Sequence, residues 1–497
     1  MLCERCSGLI PDGESDCPVC GASPATASVP ERDHAVAFKP KEEENNHRSR
    51  CWCSCACHSR SIADPFAFPK SLKGEYLLAQ IVSDIGEDQT AACVFDNEGL
   101  PVKLSISDDG SGLISLVDGT EYASLTYDKG QLTGQLKLSG SGSKRPVSIS
   151  NTDYGLYVYD EEQGLTLRYI MAGSVDLSAE DGDYVLTHIS SKAHDDHIEH
   201  WVNSNYKIPT KLSLNADGTG SIVYTDGSDY ASLTVNSADM TGEITYTKSS
   251  NTKSIYVTVS GDSVRIYDTG YDETYEFTRA DVLDITPAAG DYILAQFSSK
   301  EHDDHIEYWT NNSYKIPTKL TLNADGTGSI VYTDGSDYAS LTVNSADMTG
   351  EITYKNNSKT NSIYVTVSGD FVRIYDKGYH ETYEYVRAGS VDLSAVAGDY
   401  KLEHASVKEH DDYADYLSKN NYKVFATLKL NKDGTGRIAY SDGSTYADFT
   451  VDSESMIGTL TYAKDKSKGA MYLTFVDGTL TLYDETLSLT MIFALST

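Results

Sequence analysis

A chain of 497 residues exceeds what one hydrophobic core organises, so several domains are expected. Its formal charge is −34, of which residues 1–70 carry −2 and the remainder −32. So acidic a surface repels phosphate backbones and anionic lipid, which excludes nucleic-acid binding by the body of the chain and suits solubility in a salty setting.

The first stretch reads MLCERCSGLIPDGESDCPVCG. Cys3-x-x-Cys6 and Cys17-x-x-Cys20 are two knuckles, each able to aim two thiolates at one ion from a tight turn. Together they predict a closed tetrahedral ribbon over residues 1–22 holding one structural zinc. Two disulfides or a redox pair are the other readings of such spacing, but the βαβ surroundings of a redox Cys-x-x-Cys are missing. Eight of the nine cysteines precede residue 60, so the rest of the chain must rely on ordinary cores.

Residues 23–70 read as a disordered linker, punctuated by Pro24, Pro30 and Pro40 and the charged run KEEENN from Lys41. Within it, Cys51, Cys53, Cys55 and Cys57 alternate with other residues behind a basic Arg48-Ser-Arg50 flank. Cysteine and tryptophan codons read one nucleotide later become Val, Ala and Gly. Residues 51–65 are therefore read as a frame-shifted remnant of a membrane anchor with a positive flank. As the chain stands, it contains no run of 18 apolar residues.

From residue 71 onward the chain repeats. Tyr206–Tyr246 returns as Tyr314–Tyr354 with one change, Ser213 to Thr321, at an offset of 108 residues. A Gly-acidic-Tyr opening recurs at Gly74, Gly182, Gly290 and Gly398, and an Asp-Gly-x-Gly turn at Asp109, Asp217, Asp325 and Asp433. So long a period means whole domains rather than solenoid coils. The expected copies span 71–178 (divergent), 179–287, 288–394 and 395–497.

In the second copy, Tyr184–Ile189 reads as a strand and Ser190–Asn205 as a helix carrying Ile198, Trp201 and Val202 on one face. Seven further strands follow with period-two alternation, from Leu212/Leu214 to Tyr275/Phe277, separated by glycine-bearing hairpins. The fold class predicted is all-β: four tandem antiparallel up-and-down barrels, each with one short helix, behind the ribbon and linker, a near-barrel sandwich being the other arrangement that eight short strands allow. The joints Ala280–Ala289 and Ala388–Ala397 hold several apolar residues and are expected to pack onto the barrels.

Gly-Asp-Tyr, a helical insert, Leu-x-Leu-x-x-Asp-Gly-Thr-Gly and a closing Tyr-Glu-Phe-x-Arg together resemble the small lipocalin-like domains of Gram-positive bacterial surface proteins. The resemblance covers copies two to four and weakens in copy one. It implies an N-terminal zinc ribbon, here matched by Cys3, Cys6, Cys17 and Cys20, then a membrane helix and barrels outside the cell. It implies no catalytic residues.

The most chemically suggestive group is His-Asp-Asp-His, with His194 and His197 in copy two and His302 and His305 in copy three. At i, i+3 on a helix these pairs could hold a divalent metal with Asp195 or Glu199; the plainer reading is a solvated helix start. Copy four has Tyr413 in place of the second histidine. Asp217-Gly-Thr-Gly lacks the alternating oxygen donors of a calcium loop and reads as a hairpin turn. Trp201 and Trp309 are read as packing the helix over the barrel mouth, where they would lid a small apolar pocket if that mouth is open.

No Ser/His/Asp, Cys/His or phosphate-loop motif recurs at matched positions, so no enzyme is expected. Two functions follow. One is a membrane-anchored cell-surface array of binding or display modules with a cytoplasmic ribbon; the other is a soluble cytoplasmic adaptor with ligand-binding barrels. Either would meet a small ligand or protein as a monomer.

Overall fold

The computed structural model describes residues 72–496, apart from 87, 96–98, 153–154, 195, 303 and 477. The ribbon cysteines Cys3, Cys6, Cys17 and Cys20 and the segment 51–65 lie outside the described residues.

Four closed eight-stranded antiparallel barrels follow one another. Their first strands are Gly74–Ser83, Gly182–Ser191, Gly290–Ser299 and Gly398–Val407, and their last Leu165–Met171, Glu273–Arg279, Glu381–Arg387 and Leu489–Leu495. Each strand pairs with its chain neighbour, and the first pairs with the eighth, so no sheet edge is left open. This is the predicted up-and-down architecture. Among the described residues five short α-helices accompany the strands: α1 (Thr90–Phe95), α2 (His197–Asn203), α3 (His305–Asn311), α4 (Leu393–Val396) and α5 (Tyr413–Lys419).

The helix of copy two is shorter than the predicted 190–205. Ser190 and Ser191 remain in the first strand, paired with Thr274 and Glu273, and both are buried. The helix then starts where Asp196 caps it, its carboxylate accepting from the Glu199 amide at 3.1 Å. Ile198 and Val202 point inward as predicted.

Period-two alternation fills each barrel. In barrel two the cross-strand sets Leu186–Phe277–Val264 and Ile189–Tyr275–Ile266 are at most 1% exposed. Each such side chain withdrawn from water stabilises the fold by about 1.5–3 kcal/mol. The Asp217 turn is a hairpin: its carboxylate accepts from the amide and hydroxyl of Thr219 at 2.9 and 2.6 Å. Gly218 sits there at φ +82°, where a Cβ would lie 2.2 Å from the Val235 carbonyl.

The recurring Gly-Asp-Tyr and closing Arg have a shared reason. Arg279 lies over the Tyr184 ring at 5.0 Å and donates to the Ala179 and Asp181 carbonyls, tying the last strand to the entry of the first. Arg387 treats Tyr292 in the same way at 4.9 Å. The connecting segments pack in part, with Ile285, Ala288 and Leu393 buried but Val282 45% exposed.

Candidate functional site at the barrel mouths and joints

In barrel two, α2 drops His197 into the end of the barrel. Its Nδ1 lies 2.7 Å from Ser191 Oγ, and its Nε2 faces Glu273 Oε1 at 3.9 Å. The other Glu273 oxygen accepts from Tyr275, whose hydroxyl meets that of Tyr230 at 2.8 Å. Burial pushes His197 down to about 4, helped by the nearby His200 and His194. Burial pushes Glu273 up to about 7 against the bond from Tyr275. The imidazole is thus neutral at pH 7 and the carboxyl is near half-protonated, as removal of water disfavours both charges.

Barrel three repeats the set. His305 Nδ1 lies 2.6 Å from Ser299 Oγ, its Nε2 3.9 Å from Glu381, and Tyr383 meets Tyr338 at 2.8 Å. The matched positions in barrel four are Val407, Tyr413 and Leu489, and in barrel one Ser83, Gln89 and Leu165. A Ser-His-Glu line of this kind could pass a proton, but acyl transfer needs a reachable oxygen. Ser191 is 7% exposed and Ser299 8%.

The four predicted metal-ligating histidines therefore divide. His197 and His305 belong to the barrel plug, while His194 stacks on His200 at 4.0 Å and His302 on Tyr308 at 4.1 Å. Trp201 packs edge-on against His197 and Tyr230, and Trp309 against Phe297, His305 and Tyr338. The indoles are part of the filling at that end of the barrel. Among the described residues, the His/Cys/Asp/Glu atoms that do converge as a trio are elsewhere, on Glu307, His404 and Asp411.

The larger feature is the joint between successive barrels, which the alternation pattern conceals. Each first strand carries a β-bulge, after Leu78, Leu186, Leu294 and Leu402. A bulge leaves one residue outside the ladder and re-aims its neighbours. The Leu78 carbonyl accepts from Tyr256 of the next barrel at 2.7 Å. Tyr364 donates likewise to Leu186, and Tyr472 to Leu294. All three tyrosines are at most 1% exposed, although their side chains stand on the outer faces of their barrels.

Around each tyrosine the contacts recur. Arg265 pairs with Asp88 and Arg373 with Asp196, where Tyr375 also donates at 2.7 Å. In the last joint Thr481 stands at the arginine position, and Asp304 meets Tyr483 at 3.0 Å. Burial pushes Asp304 up to about 6. Ser298 donates to Glu199 and Ser406 to Glu307, so α2 and α3 rest on the barrel that follows each of them. A cavity of about 200 Å³ lies at the second joint, between Tyr206, Lys207 and Asp226 of barrel two and Lys377 and His380 of barrel three. Burial lowers Lys377 to about 8, and its ammonium donates to Thr225.

Alternation along the strand explains Tyr256 and Tyr267 by cross-strand packing alone. Their rings do stack at 6.3 Å, but Tyr256 also makes the bond to barrel one. The signal in the sequence was the recurrence of Tyr256, Tyr364 and Tyr472 where copy one has Ser148.

No family model matches the chain, and no curated protein does. Among solved structures, the crystal structure of Chaetomium thermophilum Raptor aligns over 75% of this chain and 28% of that one, with 8% identity. Its TM-score of 0.11 carries no argument about fold or function. Among the described residues no helix is long and apolar enough to cross a membrane.

Proposed function

We propose that this protein is a non-enzymatic cell-surface array of lipocalin-like binding or display modules, its zinc ribbon on the cytoplasmic side of a membrane. The observation that carries this reading is the joint made three times from matched residues, Tyr256–Leu78, Tyr364–Leu186 and Tyr472–Leu294. Weak modules gain avidity when their spacing is held near the span of their targets, and a repeated hydrogen-bonded joint holds it. Flexible Gly/Ser linkers would spread the same modules over many separations.

Exposed aromatics recur at one position in three barrels. Tyr206, Tyr314 and Tyr422 are 61%, 55% and 61% exposed. Large rings held in water at matched places are suited to meeting a ligand or protein, since aromatics are enriched at binding surfaces. The burial of Ser191 and Ser299 favours a structural role for their Ser-His-Glu lines.

Protease treatment of intact cells tests the reading. Loss of barrels two to four from the outside, with the ribbon retained, is the expected result. Intact protein recovered only from the cytosol would replace this reading with the soluble adaptor.

A further inference from the structure

We propose that the joint between barrels three and four is a divalent-cation site formed by Glu307, His404 and Asp411. One ligand atom from each lies within 4.8 Å of the other two. Glu307 projects from α3 of barrel three. His404 follows the bulge in the first strand of barrel four, and Asp411 comes from the turn before α5. Three separate segments from two barrels thus bring two carboxylates and one imidazole together.

The donor set suits a first-row divalent ion such as manganese, iron or zinc, with waters completing the shell. Glu307 and His404 are half-buried and Asp411 is exposed, which leaves an open side for those waters. The Ser406 hydroxyl already donates to Glu307 Oε1 and orients the carboxylate, as outer partners of metal ligands do. Because one ligand comes from barrel three and two from barrel four, binding requires the docked joint and stabilises it.

The other joints supply internal controls. The second joint keeps Glu199 but has Gln296 where His404 stands, and the first has Ala91 at the Glu307 position. The site is therefore particular to the last joint, and glutamine is a residue this fold already accommodates there.

Manganese titration of the full chain, read by the electron-paramagnetic signal of free Mn²⁺, tests the proposal. Thiolates of the ribbon prefer softer ions, and about 0.3 M KCl screens diffuse binding to the acidic surface. The wild type should show one saturable site. His404→Gln and Glu307→Gln should each weaken it by at least ~10-fold, since even losing an outer partner of a ligand costs that much. Hydrogen exchange in residues 398–407 should slow with Mn²⁺ in the wild type only. Absence of a saturable site in the wild type, or equal binding by His404→Gln with an unchanged thermal melt, overturns the proposal.

Discussion

The Tyr256 phenol of barrel two donates to the Leu78 carbonyl of barrel one at 2.7 Å, across 178 residues of chain. The carbonyl is available because the bulge after Leu78 removes the next residue from the ladder. An irregularity in one barrel is thus the docking point for the next, and the chain repeats the arrangement twice more.

Tyr364→Phe should leave the Leu186 carbonyl buried and unpaired, costing roughly 1–3 kcal/mol. Tyr364→Ser, which imitates Ser148 of barrel one, should cost more by adding a cavity at the joint. Chemical denaturation should register both losses. Small-angle scattering should show broadened barrel separations only for the serine variant.

The plug of barrel two should hide its own titration. In the unfolded chain between about pH 4.5 and 6.5, His197 holds the proton and Glu273 does not. In the fold, Glu273 at about 7 holds it and His197 at about 4 does not. Each state binds one proton, so the contribution to stability is nearly flat across this window. Stability should then fall as pH rises from about 6.5 through 7, where the unfolded histidine has released its proton and folded Glu273 has not. Glu273→Gln should expose the histidine, giving a loss of up to ~3 kcal/mol as pH falls from 6.5 to 4. Denaturation midpoints across that range would show whether the wild type is flat.

Asp304 should make the last joint pH-dependent. Its folded pKa of about 6 lies above the unfolded value, so its contribution is complete below about 4 and is lost as pH rises through 6. Thr481→Arg restores the cation that Arg373 supplies to Asp196 and should remove most of that loss. Hydrogen exchange of α3 at pH 5 and pH 7.5 compares the two chains.

Two glycines of barrel three separate conformation from space. Gly335 sits at φ +79° and a Cβ there would meet nothing within 4 Å, so Gly335→Ala should cost only the left-handed penalty, about 1 kcal/mol. Gly326, at φ +80°, would bring its Cβ to 2.2 Å from the Val343 carbonyl. Gly326→Ala should be at least ~2 kcal/mol worse, with the hairpin forced apart. Thermal melts of both variants rank them.

Zinc should belong to the ribbon. Cys17→Ser should lower the zinc content by one per chain, and a strong chelator should leave every barrel folded, loosening at most the joint between barrels three and four. Loss of barrel β-structure on chelation would assign the repeats a structural metal.

By itself, the amino-acid sequence determined the number of barrels, their strand count and their turns. Those features are local: alternation such as Ile255/Val257/Val259 marks an inward face, and Asp217-Gly218 closes a hairpin within four residues. The helix start at Asp196 was harder to place, since Ser190 and Ser191 suit a cap as well as a strand end. Only the tertiary structure decided what Tyr256 and His197 do. In a strand, an outer-face tyrosine looks the same whether water or another barrel lies beyond it. In barrel one the outer side of the sixth strand stays open at Ser150, whereas in barrel two the matched Thr258 is buried. Likewise, Ser191, His197 and Glu273 come together because barrel closure sets the first strand beside the eighth. That pairing spans more than 80 residues, and no local pattern records it.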